Sequence, residues 1–294
     1  MAHTSGQKKA MASWVMIAFA AVMIGLFSYW PTADALILSF KTGKGINLKF
    51  GGLANYKRLF TDTTFRATVG NTLLYAVFAI PVIILLAILV AVVLNDPKLK
   101  GRGLYRTCIF LPCVTSMVSY SILFKYLFAI DGIVNHLLVN LRLVEKPISF
   151  FQDPTWSKAV IILALIWRYT GYYMIFFLSA LQNIDPSVYE AAQLDGASSR
   201  QILHRITMPL LRPIIFLTGI MALNSTLQLF DEVVNMTNGG PGNATRTISE
   251  YIYDLSFNYV PTYGYAAAVS FAVFVMVVVI TVIQKAIMKD ESRR

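Results

Sequence analysis

Six stretches of this chain are each long and apolar enough to cross a lipid bilayer, and they constrain the fold more than any other feature. They run over 14–39, 68–94, 106–128, 159–181, 208–230 and 264–287. A helix needs about 20 apolar residues to cross roughly 30 Å of hydrocarbon. No water is available there to bond with backbone amides, so each stretch is expected to be helical. Composition agrees: 56% of the residues are hydrophobic and 14% are charged, against roughly 25% charged in a soluble domain. The expected fold class is an all-α integral membrane protein with six transmembrane helices.

The domain organisation follows from these stretches. Residues 1–13 are expected to form a cytoplasmic amino terminus, 14–40 the first transmembrane helix, and 41–67 an extracytoplasmic segment. Residues 68–287 form a core of five transmembrane helices that includes a polar loop at 185–207, and 288–294 a cytoplasmic tail. Lys8 and Lys9 precede the first apolar run, and Ala33-Asp34-Ala35 fits a loose signal cleavage pattern. The run is longer than the core of a signal peptide, so it reads as an uncleaved span. Within 50–60, Leu53, Tyr56, Leu59 and Phe60 mark one face of a short interfacial helix. Basic residues near span ends place the amino terminus inside by a narrow margin. The first outer loop is itself basic, through Lys41, Lys44, Lys49, Lys57 and Arg58, which suits an interfacial helix at anionic headgroups. Pro81 is expected to kink the second span.

Several function classes drop out. The net charge of +10 contains no run of five or six like charges, which excludes a nucleic-acid-binding tail. Cys108 and Cys113 lack metal or redox spacing and read as buried structural thiols. His3, His136 and His204 are scattered, so neither a metal site nor a His-based triad is visible. No G-x-x-x-x-G-K-[ST] sequence occurs, so the chain has no P-loop for ATP. An integral-membrane enzyme would need paired carboxylates, a metal cluster or a nucleophile–base set, and none is found; catalytic residues are expected to be none.

Polar groups within the spans are the candidates for solute contact. Lys125 is expected to snorkel to the outer interface. Arg168, near the middle of the fourth span, is costly in lipid and has two readings. It is either a functional group or half of an ion pair with Asp231 or Glu232. Asn224, Gln228 and Asp231 fall at i, i+4 and i+7, with Ser225 and Thr226 beside them. Such a face either lines a pathway for a hydroxyl-rich solute or glues helices together. After it, Gly239-Gly240-Pro241-Gly242 is turn chemistry.

The segment 185–207 is built as a helical hairpin. Asp185 is an N-cap with Pro186 behind it, Gly196 a C′ residue after Asp195, and Ser198 with Gln201 a capping box. Ala191 and Ala192 keep one surface low enough for another protein to approach. Glu190-Ala191-Ala192, Asp195-Gly196-Ala197, then Ile206 and Pro209, resemble the EAA loop of importer-type ABC transporter permeases. Met208 departs from the leucine commoner before the proline. The resemblance covers most of the chain and is closest to carbohydrate permeases of the maltose and glycerol-phosphate type. It includes Asn55-Tyr56, Asn71-Thr72-Leu73, Leu111-Pro112, Trp167, Gly239-Gly240-Pro241 and Gly264-Tyr265-Ala266-Ala267-Ala268. The Gly-Gly-Pro loop is similar to that of the first permease of the usual pair.

The resemblance implies a type I ABC importer permease fold in a bacterial or archaeal cell membrane, with both termini cytoplasmic. It implies a binding-protein-dependent sugar importer in which Glu190, Ala191, Ala192, Asp195, Gly196, Ile206 and Pro209 couple to an ATPase. The alternative solutes are a polyol, glycerol phosphate or an acidic saccharide. Implied partners are a second homologous permease, a cytoplasmic ABC ATPase dimer, an extracytoplasmic sugar-binding protein and membrane lipid. No cofactor is expected on this chain, ATP and Mg residing on the ATPase, and no metal. The pathway candidates are Asn224, Ser225, Thr226, Gln228, Arg168 and Asp231.

Overall fold

The computed structural model describes Trp14, residues 17–258 and residues 260–291, with side chains through 286. The expected cytoplasmic segment 1–13 and the last tail residues, 292–294, lie outside the described residues. Among the described residues five helices are long and apolar enough to span a membrane, or six if one sharply bent pair counts as a single span. The chain divides into two compact units.

The first unit, Met1–Asp62 with Ile252–Phe274, begins with α1 (Ile17–Ser39). An antiparallel hairpin follows, β1 (Lys41–Lys44) with β2 (Asn47–Phe50), and then a short helix, α2 (Ala54–Thr61). This hairpin is absent from the sequence-based expectation, because four-residue strands carry too few alternations to register. Asn55 pins α2 to the end of α1 by donating Nδ2 to the carbonyls of Ser39 and Lys41, both at 2.8 Å. The packed face of α2 is therefore Asn55 and Leu59, while Leu53 and Phe60 point outward. The first residues of α12 (Tyr263–Glu291) belong to this unit, and Gly264 lies so close to Lys41 that a Cβ there would sit 1.8 Å from its carbonyl oxygen.

The second unit, Thr63–Tyr251 with Val275–Arg294, holds the larger core. Its elements are α3 (Thr63–Asn95), α4 (Arg102–Val114), α5 (Met117–Leu127), α6 (Ile133–Asn140) and α7 (Pro154–Gln182). Then come α8 (Pro186–Leu194), α9 (Ser199–Leu227), α10 (Asp231–Met236) and α11 (Ile248–Tyr253), the last running into the first unit. Pro81 sits within α3, which stays one helix of 33 residues until Asn95, where Asp96-Pro97 stops it. Arg106 then donates to the Leu94 carbonyl at 2.9 Å, satisfying one of the carbonyls left over at that helix end. Asp153 caps α7 by accepting from the amides of Thr155 and Trp156. Small residues let the spans approach closely: Ala79, Ala87 and Ala91 of α3, Ala164 of α7 and Ala222 of α9 are all in the core. At Gly171 the α4 backbone comes so near that a Cβ would meet the Ile109 carbonyl oxygen at 1.9 Å.

Three expectations are corrected. The third span, read as continuous over 106–128, is broken: α4 and α5 meet at 97°. Proline 112 removes an amide donor near the end of α4, and Thr115 and Ser116 are extended. The polar face shared by Asn224, Gln228 and Asp231 does not exist as one face. The helix ends at Leu227, Gln228 is its C-cap, and Asp231 opens α10, where an acidic residue suits the helix amino terminus. Cys108 is exposed rather than buried, and Cys113 is half-buried; both are free thiols.

Candidate functional site

The polar hairpin adopts the geometry its residues dictate. Asp185 Oδ1 accepts from the Ser187 amide at 2.9 Å, with Pro186 at the first helical position. These bonds hold the Asp185 carboxyl below the usual carboxylate range, so the cap persists at neutral pH and weakens only as pH falls through that lowered value. The carboxyl end of α8 closes with Gly196 at φ +75° and with Ala197 N–H donating to the Ala192 carbonyl at 3.0 Å. Ser198 and Gln201 form the reciprocal capping box. Thr207 lies buried 3.5 Å from the Tyr189 hydroxyl, which ties the hairpin to α9. A wide turn at Leu203–Thr207 precedes Pro209, whose missing N–H a regular helix would not tolerate there.

One side of α8 is open. Glu190, Ala191, Asp195 and Gly196 are exposed, Ala192 faces inward, and Ile206 is half-buried. Leu194 is 89% exposed at the tip. Sequence reasoning missed it because a leucine next to Asp195 reads as part of the helix's packed side; the signal was its offset from the inward Ala192.

The pathway candidates are separated by the fold. Ser225 and Thr226 line a recess between α7, α9 and α3 together with Tyr169, Tyr173, Ile83 and Leu165. Asn224 and Gln228 form an exposed amide pair at the end of α9, Gln228 Nε2 donating to Asn224 Oδ1 at 3.0 Å. Asp231 stands apart at the start of α10, its carbonyl accepting from Asn235. Arg168 makes no ion pair with Asp231 or Glu232 among the described residues. Arg168 is 5% exposed, and its guanidinium donates to the backbone of the α4–α5 break. The sequence reading missed Tyr169 and Tyr173, although their i, i+4 spacing on α7 was visible; in an apolar span the pair looked like ordinary packing.

The Gly-Gly-Pro loop is fixed from below. Asn71 of α3 donates Nδ2 to the carbonyls of Asn243 and Arg246 at 3.1 and 3.0 Å, and the Tyr75 hydroxyl donates to the Thr245 carbonyl at 3.1 Å. The Thr245 hydroxyl in turn donates to the Gly240 carbonyl at 2.8 Å. Among the described residues, no group of three or more His, Cys, Asp or Glu side chains is arranged to hold a metal ion.

A multi-span helical protein that carries a doubly capped, outward-facing polar hairpin between two spans is built as a membrane component of a larger machine. Residues 65–291 match the family of binding-protein-dependent transport system inner membrane components, and the chain belongs to that family. It is 47% identical to the lactose transport system permease protein LacF of Rhizobium radiobacter over 273 residues, covering 92% of each chain. It is 32% identical to the multiple sugar-binding transport system permease protein MsmF of Streptococcus mutans, covering 92% of this chain and 93% of that one. Two solved structures are similar throughout. One is a bacterial ABC transporter importing the acidic polysaccharide alginate, with a TM-score of 0.83 at 25% identity and 99% of each chain covered. The other is the alginate transporter with its pentasaccharide-bound periplasmic protein, at 0.82 and 26%, covering 94% of this chain and 93% of that one.

Proposed function

We propose that this chain is a permease subunit of an ATP-driven sugar importer and forms half of a pathway completed by a second homologous permease. The carrying observation is the capped hairpin that presents Glu190, Ala191 and Leu194 outward. In this reading the hairpin is cytoplasmic and seats in a cleft of an ABC ATPase dimer, which binds and hydrolyses ATP; this chain does no such chemistry itself. Glu190 meets polar or basic groups there, and Leu194 fills an apolar pocket. On the opposite side an extracytoplasmic sugar-binding protein delivers solute, a division of labour supported by the periplasmic protein in the alginate complex. Both termini are cytoplasmic.

The recess is closed to a sugar as it stands, with about 10 Å³ of free space, so in this reading α7 and α9 move apart before solute reaches it. The half-buried Tyr169 would then offer a ring face to sugar C–H groups and Ser225 a hydroxyl, while Tyr173 stays buried behind them; the exposed Asn224–Gln228 amides lie near the end of the same helix. Both Arg168 Nη groups are directed at backbone carbonyls, which supports a neutral sugar over an acidic one. The similarity to a lactose permease makes lactose the first solute to try.

The complete importer reconstituted in lipid is expected to hydrolyse ATP faster when its sugar-loaded binding protein is added, with lactose tested first. Uptake without any ATPase subunit would overturn the proposal. Gln228→Leu, which removes one hydrogen-bonding side chain, is expected to lower sugar uptake at subsaturating concentration about fivefold while the complex still assembles. Unchanged uptake kinetics across candidate sugars would remove Gln228 from the pathway.

A further inference from the structure

We infer that Arg168 is a positioning residue of the transport pathway: it holds the break between α4 and α5 and, through Tyr120, sets α10, without touching the solute. The inference rests on the transport reading above for its consequence, but its geometry is independent of it. Where a span breaks, the carbonyls of its last turn lose their amide partners, and hydrocarbon offers no water in exchange. Here the break at Thr115 and Ser116 leaves such carbonyls, and one guanidinium collects them. Arg168 Nη1 donates to Pro112 O at 3.2 Å and Thr115 O at 2.9 Å, and Nη2 donates to Cys113 O at 3.3 Å. A planar fork of donors can do this from a single side chain, whereas a lysine ammonium presents a point charge.

The same group reaches a second helix. The guanidinium carbon lies 4.6 Å from the centroid of the Tyr120 ring on α5, and the Tyr120 hydroxyl donates to Glu232 Oε1 at 2.6 Å. Glu232 is buried in α10, which leads into the Gly-Gly-Pro loop. Arg168 on α7 thus links the end of α4, the start of α5 and α10 in one chain of contacts. Its neighbour Tyr169 lines the recess. Displacing the guanidinium would release the Cys113 and Thr115 carbonyls, the Pro112 carbonyl keeping the Thr115 hydroxyl at 2.7 Å, and would let Tyr120 move and loosen α10 from α5.

The half-buried Cys113, whose own carbonyl is one of the acceptors, supplies a reporter that does not depend on transport. The experiment uses the assembled importer in native membranes with exposed Cys108 changed by Cys108→Ser. N-ethylmaleimide labelling of Cys113 is timed, and lactose uptake is measured alongside. Arg168→Met is expected to raise the labelling rate about tenfold and to cut maximal uptake, with half-saturating lactose little changed. Arg168→Lys is expected to fall between wild type and Arg168→Met on both readouts. Tyr120→Phe, which keeps the ring but cuts the link to Glu232, is expected to reduce uptake while Cys113 labelling stays slow. Unaltered labelling in both Arg168 variants overturns the proposal. A shift in half-saturating lactose without faster labelling would assign Arg168 to solute contact instead. Loss of lactose uptake from the parent importer alone would count against the solute reading and leave the labelling result standing.

Discussion

Replacing Gly196 with valine is expected to leave the subunit inserted and assembled but to abolish sugar-stimulated ATP hydrolysis and uptake. Gly196 ends α8 at φ +75°, in the left-handed region. No atom lies within 4 Å of where its Cβ would be, so a side chain meets no neighbour and the whole effect passes through the backbone. A β-branched residue held there costs about 1–3 kcal/mol. The cheaper response is to unwind the turn in which Ala197 N–H bonds to the Ala192 carbonyl. That turn sets the angle at which Glu190 and Leu194 are presented. ATP hydrolysis with and without the sugar-loaded binding protein, measured beside uptake, separates uncoupling from loss of assembly. Normal uptake in Gly196→Val would remove the hairpin from the coupling role.

Gly171→Val is expected to act at the opposite level, by preventing the second unit from packing. Its Cβ would lie 1.9 Å from the Ile109 carbonyl oxygen, 2.8 Å from the Ile109 carbonyl carbon and 3.1 Å from the Phe110 Cα. All three are backbone, so no rotamer change can clear them, and α4 would have to move off α7. Overpacking costs about 1–3 kcal/mol, and more where, as here, only backbone can give way. The expected result is low abundance in the membrane and a lowered unfolding temperature in detergent, not altered kinetics in a normally assembled complex. Wild-type abundance and stability for Gly171→Val would show that α4 and α7 are not held at this distance.

The two substitutions also mark what was legible in the residues. The hairpin was legible almost in full, because caps are local: Asp185, Gly196 and the Ser198–Gln201 pair each act within three residues of themselves. The spans were legible because a bilayer imposes a minimum apolar length. The break between α4 and α5 was not, although Pro112 was in view. A proline in a span kinks or breaks it according to whether a neighbour satisfies the freed carbonyls, and that neighbour, Arg168, is 56 positions away. For the same reason the sequence left Arg168 between a functional role and an ion pair with Asp231 or Glu232: carboxylates are the obvious mates of a buried cation, while backbone carbonyls leave no mark in a sequence. The face drawn through Asn224, Gln228 and Asp231 assumed that the helix continues to Asp231, whereas it ends at Leu227. Tyr169 and Tyr173 became notable only when the fold set them opposite Ser225.

Leu194 bears on how the subunit is made and kept. In water, an exposed leucine side chain costs about 1.5–3 kcal/mol relative to its buried state, and Leu194, at 89% exposed, sits with the exposed Val188 on the same short helix. On the proposed reading, docking of the ATPase removes that cost. Copies made in excess of the ATPase keep a greasy flag in the cytoplasm, the kind of feature that chaperones and membrane proteases read as an unfinished product. A pulse-chase experiment should then find the orphan subunit short-lived, and Leu194→Ser should lengthen its life without the ATPase present. Equal lifetimes would rule this out. The residue proposed to transmit force would thus also keep the count of permeases matched to the count of motors.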